Sequence, residues 1–136
     1  MQNLMQSIAG LPYFLLYFAL ALVMLALFVV IHIRVAPYRE LKLIRSGNIA
    51  AAISLSGALI GFILPLASAV AHSINPVDMV AWAAIALLVQ LIVYAAAARL
   101  SSGLREAIEA GRTAPAVLLA TLAVSVGILN AACLTY

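Results

Sequence analysis

The feature that most restricts this chain is the spacing of its charges. Residues 1–33, 46–77, 79–98 and 113–136 contain no Asp, Glu, Lys or Arg. A helix needs roughly 20 apolar residues to cross a hydrocarbon core about 30 Å thick. Each interval is long enough, and each is continuously apolar rather than alternating, which favours helices over barrel strands. A helix also satisfies its backbone hydrogen bonds within one segment, as lipid demands. Spans are therefore expected at about 11–33, 49–71, 78–98 and 114–134. Composition points the same way: 68% of the 136 residues are hydrophobic and 8% are charged. Soluble domains average about 45–50% and about 25%. Eleven charged side chains cannot cover a soluble globule of this size. A soluble enzyme, a nucleic-acid-binding module and a disordered tail are excluded. The expected fold is all-α and integral to the membrane, with residues 1–136 forming a single domain of four transmembrane helices.

The same charges orient the spans. Arg34, Arg39, Lys42, Arg45, Arg99, Arg105 and Arg112 are the seven basic residues. They fall in two windows, 34–45 and 99–112, so the positive-inside rule makes both connections cytoplasmic. The N-terminus, the 72–77 turn and the C-terminus then lie outside. No basic residue precedes the first apolar run, and that run is too long for a signal peptide, so it reads as a retained span. Asn75-Pro76 suits the outer turn. Tyr13 and Trp82 suit the outer headgroup layer and Tyr38 the inner one.

The two basic windows resemble each other. A shift of 64 residues superimposes Ile44 on Ile108, Gly47 on Gly111, Ala50 on Ala114 and Ala52 on Ala116. Each copy is flanked by spans, so the halves (about 11–71 and about 78–134) are expected to be parallel two-helix repeats. Within each window, apolar residues at helical spacing (Leu41 and Ile44; Leu100, Leu104 and Ile108) predict a short amphipathic segment at the inner interface. Gly47 and Gly111 fit helix C-caps at positive φ. Asn48 and Thr113 fit the N-caps of the following spans, with Pro115 tolerated in a first turn.

The run Glu40…Ile44-Arg45-Ser46-Gly47-Asn48-Ile49-Ala50-Ala51-Ala52, inside a duplicated two-span unit, resembles the YjfL-like family of bacterial inner-membrane proteins, a domain of unknown function (350). The second copy departs from the first, with Arg112 in place of Asn48 and Pro115 in place of Ala51. The resemblance implies a small multi-pass protein of the bacterial inner membrane, with both termini periplasmic on the orientation above. It also implies company with phage-shock-like or flotillin-like membrane-maintenance proteins. It supplies no catalytic residues.

Little else in the chain suggests chemistry. His32 and His72 fall at opposite ends of the spans and cannot share a metal; each reads as an interfacial side chain. Cys133 is alone, no metal-ligand spacing is present and no cofactor is expected. Serines 54, 56, 68 and 125 lack a base at membrane depth and are expected to bond carbonyls one turn back or to pack between helices. No activity as an enzyme is expected. Gln90 sits mid-span and should face another helix rather than lipid.

Packing signals are clearer. Ser54, Gly57, Gly61 and Pro65 make a small-residue row on the second span, and Ala123, Gly127 and Ala131 a matching stripe on the fourth. Small residues let helix backbones approach closely, within one chain or in a homo-oligomer. Pro65 is expected to kink its helix.

The basic corners complete the reading. Arg34, Arg39, Lys42, Arg45, Asn48, Arg105 and Arg112 either set topology and touch lipid phosphates or form a docking site for anionic lipid or an acidic partner. The favoured function is a structural or interaction protein in envelope maintenance. The alternative is a channel or transporter subunit whose pathway arises by oligomerisation.

Overall fold

A computed structural model describes residues 1–134. The described residues form seven helices and no strand: α1 (Gln2–Ala9), α2 (Leu11–Val35), α3 (Glu40–Arg45), α4 (Ile49–His72), α5 (Pro76–Leu100), α6 (Leu104–Glu109) and α7 (Thr113–Cys133). Four helices are long and apolar enough to cross a membrane: α2 continued from α1, α4, α5 and α7. α2, α4, α5 and α7 match the expected spans to within two residues at every boundary. The short α1 was not anticipated. It is set off from α2 at Gly10 and buries no residue.

Local chemistry accounts for the breaks. α2 stops at Val35 because Pro37 disfavours helical geometry at Ala36, which is extended at ψ 135°. Asn75 caps α5: its side-chain oxygen accepts from the Asp78 N–H at 2.9 Å, and Pro76 supplies a first helical position that needs no donor. α4 is helical on both sides of Pro65, which is buried.

The two corners share one backbone device. Gly47 and Gly111 have φ of +88° and +78°. In the first corner the Gly47 N–H bonds the Ile44 carbonyl at 3.0 Å and the Asn48 N–H the Leu43 carbonyl at 2.9 Å. In the second, Gly111 bonds Ile108 at 3.0 Å and Arg112 bonds Ala107 at 2.9 Å. These are the paired closing bonds by which a left-handed glycine ends a helix. The caps that follow differ. Asn48 caps α4, its Oδ1 accepting from the Ala51 N–H at 2.9 Å. Arg112 occupies the other cap without a side-chain bond, and Thr113 is already the first residue of α7. Thr113 is thus not the cap expected of it.

The centre of the bundle is α4, with ten buried residues against three on α2. α4 and α7 run parallel, because their contacts advance together: Gly57 with Ala120, Gly61 with Ala123 and Gly127, and Ser68 with Ala131. At the middle of this pair the backbones touch. A Cβ on Gly61 would lie 2.5 Å from the Ala123 carbonyl oxygen and 2.8 Å from its carbon. One on Gly127 would lie 2.7 Å from the Gly61 Cα. The small-residue row and stripe read from the sequence therefore pack against each other within one chain. On the other side of α4, Phe62 stacks on Phe28 of α2 with ring centroids 4.5 Å apart, amid Met24, Leu66, Met79 and Leu87. A second cluster, with Ala50, Ala51, Tyr94, Leu104 and Ile108, fills the corner end.

Gly61→Leu and Gly127→Leu should each lower the melting temperature in mild detergent sharply, since a side chain there meets backbone. Overpacking of a tight core costs about 1–3 kcal/mol and occasionally more. Gly10→Ala, whose Cβ would meet only the Ser7 carbonyl at 3.6 Å, should leave the melt nearly unchanged.

Candidate functional site

The corner end of the bundle holds a buried polar cluster. The turn at residues 36–39 folds the chain back, so that α3 begins beside the last turns of α2. Glu40, in the first turn of α3, points into the bundle and is fully buried. His32 of α2 is also fully buried, and its Nε2 lies 3.3 Å from Glu40 Oε1. The imidazole sits between aromatic rings, 5.5 Å from the centroid of Phe28 and 4.2 Å from that of Tyr94. Tyr38, in the turn, shares a 2.5 Å hydrogen bond with Ser54 of α4. Tyr94 of α5 donates to the Tyr38 hydroxyl at 3.3 Å. Burial pushes the Tyr38 phenol above its ordinary pKa, against the opposing pull of the Ser54 hydrogen bond, so it serves as a neutral donor and acceptor. Two atoms of this cluster remain unsatisfied: His32 Nδ1 and Glu40 Oε2 are buried without a hydrogen-bond partner, as is Ser73 Oγ at the other end of α4.

This cluster corrects three expectations. His32 is not an interfacial side chain; Phe28, Tyr94 and Glu40 enclose it. Tyr38 does not present its hydroxyl outward; it is 4% exposed and bonded to two hydroxyls inside the bundle. In α3 the inward residue is Glu40, whereas Leu41 faces outward at 45% exposure. That rotation pairs Glu40 with a buried histidine while Leu43 and Ile44 still pack against the bundle. In the second corner Leu104 and Ile108 are buried as expected, but Leu100 ends α5 and is exposed. Sequence reasoning missed Glu40 because it lies in a charged window. The available signal was a histidine eight residues ahead of it across a proline turn.

The expected basic residues are all exposed: Arg34, Arg39, Lys42, Arg45, Arg105 and Arg112, together with Arg99. Arg105 Nε pairs with Glu109 Oε1 at 3.0 Å across one helical turn. Asn48 differs from them. Besides capping α4, it donates from Nδ2 to the Ile108 carbonyl at 2.8 Å and so joins the two corners. Among the packing residues, Ser54, Gly57, Gly61, Pro65, Gln90, Ala123 and Gly127 are all buried. Gln90 faces α4 and donates to the Gly61 carbonyl at 2.8 Å, the interhelical bond expected of it. Ser125 and Thr121 bond carbonyls one turn back and face outward. His72 lies at the far end of α4, bonded to Ser68. Among the described residues no three His, Cys, Asp or Glu side chains gather as a metal site would require.

Fold and site together define a four-span helical membrane protein with ionisable groups enclosed at one end. The chain belongs to the family described as Domain of Unknown Function (DUF350), whose model matches residues 6–134. It is similar to the UPF0719 inner membrane protein YjfL of Escherichia coli K12, with 37% identity over 120 residues, covering 88% of this chain and 91% of that one. The YjfL protein of Escherichia coli O157:H7 matches equally well. No solved structure matches the chain. The apolar helices and these relatives identify a multi-pass protein of the inner membrane.

Because His32 and Glu40 are enclosed together, removing one strands the other. Glu40→Ala alone should destabilise the protein by about 3–5 kcal/mol, the usual cost of breaking a buried pair. The double variant His32→Leu, Glu40→Leu should recover most of that loss. Chemical unfolding in detergent of His32→Leu, Glu40→Leu and the double variant closes the cycle; a double-variant loss equal to the sum of the two single losses would show that the two side chains are not coupled.

Proposed function

We propose that this protein is a structural or interaction component of the inner membrane, acting in envelope maintenance. Its exposed basic end would meet anionic lipid or an acidic partner at the cytoplasmic surface. The observation that carries this reading is the exposure of all seven basic side chains, against only two exposed carboxylates, Glu106 and Glu109, on the helix ends and corners that bear them. Each basic residue near an anionic leaflet contributes about 1 kcal/mol of attraction. The interior above them is closed by small residues and stacked rings, which favours an anchor over a pathway through one chain. No enzymatic role is proposed. Partners in this reading are a second copy of the chain and a phage-shock-like or flotillin-like protein, by the family resemblance.

The second reading is a channel or transporter subunit. Its support is the outward-facing row of Ser56, Thr121 and Ser125 beside the α4–α7 seam. Those hydroxyls would line a path only between copies of the chain.

Two measurements test the favoured reading. Seven basic residues on two connections predict a periplasmic C-terminus, so an export-dependent reporter fused after Tyr136 should be active. Activity of a cytoplasmic reporter there would reverse the orientation. Replacing Arg39, Lys42 and Arg45 by Gln should preserve insertion and fold while reducing copurification of anionic lipid or partner. Salt should act in the same direction on the wild type, since the Debye length shrinks from about 8 Å at physiological ionic strength to about 3 Å at 1 M. Unchanged association in the triple variant would leave these residues the role of topology signals only.

A further inference from the structure

The basic end is not a uniform surface. A cavity of about 630 Å³ opens between the 36–39 turn, α3 and α6. Arg39, Lys42 and Arg105 contribute to its walls, with Pro37, Leu41 and Ser46 beside them. Arg34, Arg45, Arg99 and Arg112 lie outside it. We propose that this cleft is a binding site for the phosphate headgroup of an anionic membrane lipid. The proposal rests on the basic-face reading above and assigns it a place.

Three features favour that occupant. The cations come from two corners that Asn48 holds together, its side chain bridging α4 to the Ile108 carbonyl. Arg and Lys donors on different elements can close on one phosphate from several sides. The wall is also partly apolar. Pro37 and Leu41 are exposed beside the cations, a mixture suited to a molecule whose charged head continues into an acyl chain at the membrane interface. A soluble anion would gain nothing from them.

The buried pair supplies the third feature. Glu40 forms part of the cleft wall, and its contact with His32 fixes the rotation of α3. That rotation turns Glu40 inward and leaves Arg39, Leu41 and Lys42 exposed around the cleft. His32 and Glu40 are thus positioning residues for this site. Glu109, also on the wall, is engaged by Arg105 Nε, which leaves the other guanidinium nitrogens of Arg105 to a headgroup.

A charge-matched comparison tests the site. The full chain is placed in nanodiscs of phosphatidylcholine and phosphatidylglycerol in equal amounts, extracted into mild detergent, and its retained lipids are quantified by mass spectrometry. Arg39, Lys42 and Arg105 are replaced by Gln in one variant, and Arg34, Arg45 and Arg112 in another. Both lose three positive charges. The cleft variant should lose phosphatidylglycerol enrichment by roughly fivefold for each basic contact removed, while the other stays near wild type. Equal losses would overturn the cleft and leave the diffuse basic face standing. No loss in either would overturn the cleft and the lipid-binding form of the basic-face reading, leaving only an acidic partner for that face. Adding glycerol phosphate in millimolar excess should leave the enrichment unchanged; displacement of the lipid would assign the site to a free phosphate compound and overturn the lipid proposal.

Discussion

The backbone contact between α4 and α7 governs the rest of the structure. Within a bilayer, helices gain little from leaving lipid for one another, so association depends on close packing and interhelical hydrogen bonds. Gly61 contributes to both. Its missing side chain admits Gly127 and the Ala123 carbonyl, and its own carbonyl accepts from Gln90 of α5. One residue therefore sets the approach of α7 and satisfies the costliest polar group on α5. Gln90 in turn needs α4 at that depth, because an amide facing lipid would be left without a partner.

That contact has consequences at the corner end. With α4 and α7 parallel and touching, the corners that start them must lie side by side. The Asn48 bond to the Ile108 carbonyl uses that proximity. Two windows 64 residues apart in the chain become one end of the bundle, and three of their seven cations, Arg39, Lys42 and Arg105, line one cleft. α2 is held differently. Its single inward stripe of Met24, Phe28 and His32 is spaced every four residues along one face, and the last member is tied through Glu40 to the chain that follows it.

Much of this was legible because lipid makes the rules few. Charge-free intervals located the spans, and Gly47 and Gly111 marked helix ends because few other residues accept positive φ. Gln90 announced an interhelical bond by its depth alone. The buried cluster was not legible for a related reason. Hydropathy assigns a residue such as Glu40 to water, and the spacing of Leu41 and Ile44 placed Leu41 inward, whereas only Ile44 of the two packs against the bundle. The outcome depended on a tertiary partner, His32, whose own inward direction follows from the α2 stripe. The roles of Tyr38, Ser54 and Tyr94 were hidden similarly, since each is ordinary at its position and acquires meaning only through the others.

The pair itself raises a question of design. Taking two ionisable groups out of water costs several kcal/mol for each ion, and well-packed apolar residues of similar volume often do as well or better for stability. Stability alone is therefore a weak reason for His32 and Glu40 to be where they are. An apolar residue at position 40 could pack in more than one rotation, and so short a helix offers little else to choose between them. A carboxylate that must meet one imidazole admits far fewer. Specifying the rotation of α3 specifies where Arg39 and Lys42 stand. Ionisable residues enclosed in membrane proteins are a functional hypothesis by default. On the reading proposed above, they hold a charged surface in register rather than carry a charge through the bilayer: Phe28 stacks on both His32 and Phe62, and the amides of Gln90 and Asn130 are engaged by the Gly61 and Ala86 carbonyls.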